Sequence, residues 1–354
     1  MSRDRPDPED MTVRSAVQRY LRRRRADATE SSVRSWKYRL KLFVEWCEGI
    51  GVDSVSELRP YDLDEYYELR SSRIKPVTLE GEMRTLRTFL TYLDEQLDAV
   101  EDGLADAARV PDLDRNERAS DASFRAEKAM ALLEAYRESP QYRARRGHTF
   151  LEIAWHTGAR QGSIRGLDVR DVDFKKECVE FRHRPDTDTP LKNKSSGERP
   201  VALPTEAMDV VREYVDEERR DVRDDYDRKP LLPSAVGRPT NNTLRNWSYM
   251  ATEPCLLLDC PHDKEREECD WTEYVHASKC PSSRSPHRIR TGSITWQLNL
   301  GFPPEVVSER VNATVDVIEN HYDWASREER WRRRHERMEN RREYIDQLEV
   351  SNNE

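Results

Sequence analysis

Apolar residues in the first hundred positions recur every three or four residues, the spacing of helices that bury one face. The most regular stripe covers 79–97 and alternates in steps of four and three. A second stripe covers 36–47 and is followed by two glycines, which suit a helix C-cap. Two shorter stripes complete the predicted set: 11–28 and 62–69. The pattern predicts a domain of four or five helices.

The limits of the predicted parts follow from where this periodicity begins, stops and resumes. Residues 101–120 are rich in Asp, Glu, Ala, Pro and Arg and carry no apolar stripe, which is typical of an interdomain linker. A chain of 354 residues is long enough for two domains. The predicted parts are a flexible N-terminus at 1–10, a helical domain at 11–100, the linker at 101–120, a second domain at 121–342 with an inserted cysteine-rich segment at 255–280, and a tail at 343–354.

Short candidate strands interrupt the helical stretches of the second domain. They lie at 178–182, 189–192 and 199–203, and a turn-like Asn-Lys-Ser-Ser-Gly-Glu separates the last two. We therefore expect a hairpin between 189–192 and 199–203. Alternating Arg and Glu predict a further helix over 326–347. The predicted fold class is mainly α (α+β), with a helical N-terminal domain and a mixed, mostly helical second domain that holds a small β-sheet.

The content of charged residues bears on how such a protein could bind a partner. Charged residues make up 36% of the chain, against a usual quarter, and the net charge is −9, which argues against a simple basic DNA-binding module. Arginines number 49, lysines 11 and acidic residues 69. This bias is typical of a halophilic host, where salt screens an acidic surface, and a GC-rich genome is the alternative explanation. In high salt, DNA affinity has to rely on bidentate arginine contacts more than on bulk positive charge.

No apolar run approaches the roughly 20 residues of a membrane span, and the N-terminal stretch lacks the apolar core of a signal peptide. We therefore expect a cytoplasmic protein. Four of six cysteines cluster between 255 and 280, which in the cytoplasm favours metal binding over disulfides. The predicted ligands of a structural zinc ion are Cys260, His262, Cys269 and Cys280, with Cys255 and His276 as substitutes. Thiols without metal are the alternative.

Several polar motifs occur in an order that suggests one chemistry. They are Thr157-Gly-Ala-Arg160, Lys192 and Lys194 before Gly-Glu-Arg-Pro-Val-Ala-Leu, His287-x-x-Arg290, and Tyr322 in His-Tyr-Asp-Trp. A histidine and an arginine three residues apart share one helix face. Two guanidinium groups with a histidine and a tyrosine suit attack on a phosphodiester by the tyrosine hydroxyl. Each motif by itself is common, and the ordered set is specific.

In order and spacing, this set resembles the tyrosine recombinase (phage integrase) family over nearly the whole chain. The cysteine run and the Ser-Pro-His-x-Ile-Arg form resemble integrase-like proteins of haloarchaea in particular. The resemblance implies a core-binding (SAM-like) domain at 11–100 and a catalytic domain at 121–342. It also implies that the C-terminal stretch docks on a neighbouring subunit; a helix facing solvent or DNA is the alternative.

The resemblance further implies a role for each motif. Arg160 and Arg290 would grip the scissile phosphate, and Tyr322 would attack it to form a 3′-phosphotyrosyl bond. His287 would act as a general acid/base or bind the phosphate. Lys192 or Lys194 would protonate the leaving 5′ oxygen, and the spacing does not choose between them.

The sequence departs from the family pattern near the tyrosine. The family carries a second His, or a Trp, nine or ten residues before it, where this chain has Asn312 and Ala313. An asparagine can donate a hydrogen bond to a phosphate, but it cannot shuttle a proton. Ser163 and Thr291 also stand where the family usually has an acidic residue and a histidine.

The predicted function is therefore site-specific DNA recombination, for integration, excision or inversion, without a cofactor for catalysis. The expected partners are double-stranded DNA, three further copies of the chain in a tetramer on paired sites, and accessory DNA-bending proteins. One alternative is a catalytically weakened, zinc-containing DNA-binding regulator on the same fold. Another is a nickase similar to type IB topoisomerases.

Overall fold

The computed structural model describes residues 7–113 and 124–321, together with 335, 338, 339 and 342. The chain divides into two compact units, Met1–Ser120 and Asp121–Glu354. Tyr322 and most of the helix predicted at 326–347 lie outside the described residues. Among those described, no helix is long and apolar enough to cross a membrane.

The first unit is a helical bundle. Its helices are α1 (Val13–Arg24), α2 (Glu30–Ile50), α3 (Pro60–Ser71), α4 (Pro76–Leu97) and the short α5 (Leu104–Ala107). The Thr29 hydroxyl caps α2 by accepting a hydrogen bond from the Ser32 N–H. Gly51 ends the same helix in the left-handed conformation, at φ 81°.

The apolar stripes of these helices meet in one core that includes Phe43, Leu86 and Phe89. Leu104 and Ala108 are buried in the same core. The first part of the segment predicted as a linker is therefore packed into the bundle, because its few apolar residues complete the core beside α4.

The second unit is mostly helical. Its helices are α6 (Ala126–Glu138), α7 (Arg146–Thr157), α8 (Gln161–Gly166), α9 (Thr205–Glu213), α10 (Asn241–Ala251), α11 (Pro286–Asn299), α12 (Pro304–Val311) and α13 (Val315–His321). Helix α7 is buried along its whole second half, with Phe150, Ile153 and Trp155 fully enclosed. Because α7 is enclosed by the rest of the unit, its C-terminal end at Gly158 is held firmly.

A small antiparallel sheet completes this unit, with strands β1 (Val172–Asp173), β2 (Cys178–Phe181) and β3 (Arg199–Ala202) in that order. Val179 pairs with Val172 on one side and Val201 on the other. The mainly α fold with a small sheet is confirmed.

The predicted hairpin between 189–192 and 199–203 is wrong. β3 pairs with β2, and residues 182–198 form the connection between them. Thr189 makes only an isolated bridge to Arg184, and the following Pro190 has no N–H to extend a ladder. Lys194–Gly197 form a single 3₁₀ turn.

Candidate active site

Arg160 is positioned by the end of one helix and the start of the next. Gly158 closes α7 in the left-handed conformation at φ 59°, and Arg160 occupies the N-cap position of α8. Its Nη1 donates to the Asn312 carbonyl oxygen over 2.6 Å. The side chain is half-buried, so its guanidinium group is anchored without being fully enclosed.

Arg290 lies on α11, which Pro286 begins at its first position. The residue is 2% exposed. Its Nη1 donates to the carbonyl oxygens of Gly158, at 2.5 Å, and Val311, at 2.8 Å. These two bonds connect α11 to the ends of α7 and α12.

His287 lies one turn before Arg290 on the same face of α11 and is exposed at the surface. Partial desolvation lowers the pKa of its imidazole, and the nearby charges of Arg290, Arg288, Arg160 and Lys192 lower it further. The structure therefore brings His287 into the electrostatic field of both predicted arginines. The lowered pKa favours the neutral imidazole.

The two candidate lysines differ in their surroundings. Both are exposed in the connection between β2 and β3. The charge of Lys192 helps to lower the pKa of His287. Lys194 has a left-handed backbone, at φ 52°, within the 3₁₀ turn. Lys192 is therefore one of the cations whose charge acts on the histidine of the cluster.

Asn312 ends α12 in the left-handed conformation, at φ 51°, which asparagine tolerates better than most residues. Its side-chain oxygen accepts a hydrogen bond from the Asn193 amide. Ala313 is partly buried against the small apolar cluster of Ile294, Leu298 and Val307. The amide of Asn312 is therefore used to hold the lysine-bearing connection, and Ala313 has no polar side chain to offer.

Two further arginines, which the sequence did not single out, complete the cluster. Arg199 Nε donates to the Arg310 carbonyl oxygen at 2.6 Å, and its Nη1 to Gly197 at 2.8 Å. Arg310 Nη2 donates to the carbonyl oxygens of His156 and Ala202. Arg199 does occur within the Gly-Glu-Arg-Pro stretch, so its position after the lysines was the available signal.

The hydrogen bonds that hold these guanidinium groups run mainly to neutral carbonyl oxygens. Burial and the charges of Arg290, Arg160 and Arg310 lower the pKa of Arg199 to about 10. Each arginine still carries its charge near neutral pH. A group of cations that is held in place through carbonyl oxygens is suited to binding an anion such as a phosphate.

The predicted zinc ligands do not form a site in this structure. Among the described residues, which include all of 255–280, no three His, Cys, Asp or Glu side chains are grouped so that they could hold a metal ion. His262 Nε2 lies 3.0 Å from the Ser282 hydroxyl and its ring contacts Trp271, while Cys280 is buried. The expected set of Cys260, His262, Cys269 and Cys280 is thus not brought together.

Other contacts order the cysteine-rich segment instead. The buried Glu253 accepts from Arg266 at 3.1 Å, and Arg266 also donates to the Cys255 sulfur. Ser248 donates to the Arg284 carbonyl oxygen at 2.7 Å, and the Arg284 N–H donates to Thr252 at the same distance. These bonds fix the segment on α10 just before it enters α11, the helix that carries His287 and Arg290.

Comparison with known proteins agrees with this arrangement. The family model described as the phage integrase family matches residues 123–323, which is more than half of the chain, and the chain belongs to that family. A probable integrase/recombinase protein of Methanocaldococcus jannaschii is 20% identical over 303 residues, covering 84% of this chain and 82% of its relative.

Two solved structures share the fold. The Tn1549 transposon integrase in complex with a circular intermediate DNA has a TM-score of 0.66 at 16% identity, covering 92% of this chain and 99% of that one. A lambda integrase dimer bound to a COC′ core site has a TM-score of 0.59 at 11% identity, covering 89% and 99%. Family and fold together define this protein as a site-specific tyrosine recombinase.

Proposed function

We propose that this protein cleaves and rejoins duplex DNA through a covalent 3′-phosphotyrosyl bond formed by Tyr322. The observation that supports this most is the convergence of Arg160, Arg290 and His287 around the C-terminal end of α12. Tyr322 follows α13 directly in the chain and falls within the family match.

The arginines would bind the scissile phosphate and stabilise the transition state. In-line attack adds negative charge to the non-bridging oxygens, and guanidinium forks match that geometry with paired hydrogen bonds. Arg160 and Arg290 are each anchored through Nη1 by a carbonyl oxygen. This anchoring holds the cations in place before the reaction, so little reorganisation is needed when charge develops.

His287 and Lys192 would manage the protons. A tyrosine hydroxyl has an ordinary pKa of about 10, so it needs an acceptor or nearby cations to become a nucleophile. The neutral imidazole that its surroundings favour is a suitable acceptor. The Lys192 ammonium would donate a proton to the leaving 5′ oxygen. The phosphotyrosyl bond retains the energy of the broken phosphodiester, so rejoining by the reverse reaction requires neither cofactor nor ATP.

We further propose that the helical first unit and the second unit both bind DNA, and that four copies assemble on two sites. The related structures are of integrases on DNA, one of them a dimer on its core site. Accessory DNA-bending proteins would assist assembly. The acidic, lysine-poor composition supports a halophilic host.

The test uses a nicked suicide duplex made from the DNA that flanks the gene, at high salt. We expect a protein–DNA adduct that survives denaturation and is removed by protease. Tyr322→Phe should abolish the adduct and leave the mobility shift on a native gel unchanged. An adduct that persists in Tyr322→Phe would exclude this nucleophile.

One observation favours the alternative of a DNA-binding regulator. The position that carries a His or Trp in the family pattern is occupied by an asparagine whose amide is bonded to Asn193. A clear mobility shift with no adduct, across several salt concentrations and sites, would favour this alternative. Relaxation of supercoiled DNA of any sequence would instead indicate the nickase.

A further inference from the structure

We propose that Arg199 is a third phosphate-binding arginine of this site, acting on the same scissile phosphate as Arg160 and Arg290. The inference rests on the proposed function and adds a residue to it. Nothing in the ordered motif set that led to the family resemblance assigned Arg199 a role.

Three arginines meet at the C-terminal end of α12. The last carbonyl oxygens of a helix have no partner within it and carry partial negative charge. Here three consecutive carbonyl oxygens each accept from a different arginine: Arg310 O from Arg199 at 2.6 Å, Val311 O from Arg290 at 2.8 Å, and Asn312 O from Arg160 at 2.6 Å. Three carbonyl groups in succession span about 7 Å of chain. The helix end therefore gathers the three guanidinium groups within reach of one phosphate.

Arg199 is as firmly held as the two predicted arginines. It is the first residue of β3 and pairs with Phe181 of β2. Its guanidinium carbon lies 4.6 Å from the centroid of the Phe181 ring, and its Nη1 donates to the Gly197 carbonyl oxygen at 2.8 Å. Because Nε and Nη1 are both hydrogen-bonded to the protein, the orientation of the guanidinium plane of Arg199 is fixed.

One nitrogen of the fork is still available. Nη2 of Arg199 makes no hydrogen bond to any described residue, and the side chain is only partly exposed. Arg310 is likewise bonded through two nitrogens, since its Nε donates to Gln297 and its Nη2 donates to the carbonyl oxygens of His156 and Ala202. What distinguishes Arg199 is that its guanidinium group, with a donor left for an incoming ligand, is bonded to the same helix end as Arg160 and Arg290.

The electrostatics indicate the charge of that ligand. Arg290, Arg160 and Arg310 all act on Arg199 and, with burial, disfavour its charged form. A bound phosphate would relieve this mutual repulsion among the cations, and a neutral or cationic ligand would not. The class of ligand that fits is a phosphodiester.

The alternative is that Arg199 has a purely structural role, since it links β3 to α12. A substrate with a methylphosphonate at the scissile position distinguishes this structural role from phosphate binding. There, a neutral methyl group replaces one charged oxygen. An arginine that acts on the phosphate charge loses its importance on this substrate, whereas an arginine that supports the fold does not.

The experiment measures single-turnover adduct formation on phosphate and methylphosphonate suicide duplexes. On the phosphate duplex we expect Arg199→Ala to lose about 10- to 100-fold in rate. On the methylphosphonate duplex the variant and the unmutated protein should react at nearly equal rates. Arg199→Lys keeps the charge and loses the fork, so it should show a smaller loss confined to the phosphate duplex. It also keeps the test decisive if Arg199→Ala fails to fold.

Arg182→Ala is the matched control, because Arg182 follows β2, is exposed and pairs with Glu180 at the surface. It should react normally on both duplexes. Equal losses for Arg199→Ala on the two duplexes, or no loss on the phosphate duplex, would overturn the role of Arg199 while leaving the recombinase function intact. No adduct from the unmutated protein on either duplex would overturn both.

Discussion

At the residue scale, the candidate site is defined by how each cation is anchored. The three arginines at the end of α12 donate to backbone carbonyl oxygens, and backbone acceptors do not titrate. Unlike a carboxylate, a carbonyl acceptor does not itself neutralise the arginine that it binds. These bonds thus orient the guanidinium groups at the helix end.

Asn312 provides the first prediction at this scale. Replacement by glycine keeps the left-handed backbone accessible, and the backbone carbonyl that binds Arg160 remains. The variant loses the amide contact to Asn193 and a longer one, of 3.5 Å, to the Ser196 carbonyl oxygen, and both help hold the connection that carries Lys192. We expect adduct formation to slow by about tenfold, with unchanged DNA affinity, because a catalytic group becomes less well positioned. Single-turnover rates and a titrated mobility shift measure the two quantities.

The control for this prediction is the partner residue. Asn193→Ala should reproduce the loss, and the double variant should be no slower than either single variant, because both changes remove one interaction. Additive losses would show that Asn312 acts independently of Asn193.

At the element scale, the site forms where helix ends meet. Helix α7 is capped by Gly158, α12 is capped by Asn312, and Arg290 of α11 bonds to both of these helix ends. These ends come from segments about 150 residues apart in the chain. The close approach at Gly158 leaves little space: a Cβ there would lie 2.9 Å from Val311 and 3.1 Å from the Ser293 hydroxyl.

Gly158→Ala should therefore affect both stability and activity. The left-handed backbone and the contact with Val311 should lower the free energy of unfolding by about 1–2 kcal/mol. Displacement of the Gly158 carbonyl oxygen should also weaken the anchor of Arg290 and slow adduct formation. Denaturant unfolding and single-turnover cleavage test these effects.

Gly162→Ala is the matched control for Gly158→Ala. It lies in the helix that follows, and a Cβ there would meet nothing within 4 Å. The free energy of unfolding of the Gly162→Ala variant should be unchanged or slightly higher, because alanine favours a helix more than glycine does. Equal stability of Gly158→Ala and the unmutated protein would contradict the packing argument.

At the scale of the whole molecule, charge separates the site from the rest of the chain. The net charge is −9 although the candidate site gathers four arginines, a lysine and a histidine. Positive charge is concentrated where a phosphate would bind, and the excess of acidic residues lies elsewhere. Salt screens repulsion among exposed charges and has less effect on buried ones.

Salt should accordingly stabilise this protein. We expect the melting temperature to rise between about 0.1 M and about 3 M KCl, as screening reduces the repulsion of the acidic surface. An uncharged excluded osmolyte such as sucrose is the control, because it strengthens apolar burial without screening charge. A melting temperature that rises equally with sucrose and KCl, or falls with KCl, would argue against the halophilic interpretation.

The sequence by itself determined the local properties of the chain. Helix periodicity depends on neighbours three and four residues away, so the four long helices of the first unit could be predicted from their apolar stripes. The set of arginine, lysine, histidine and tyrosine motifs also predicted the chemistry, because guanidinium groups bind a phosphate and a tyrosine nucleophile needs a proton acceptor.

Tertiary structure alone decided which distant residues meet. The pairing of β2 with β3, the effect of the Lys192 charge on His287, and the place of Arg199 at the same helix end as Arg290 all depend on contacts between separated segments. Spacing suggested a metal site at 255–280, but no three possible ligands are grouped among the described residues, and His262 and Cys255 contact Ser282 and Arg266 instead. The physical reason is common to all these cases: side-chain chemistry is a property of the residue, whereas proximity is a property of the packed chain.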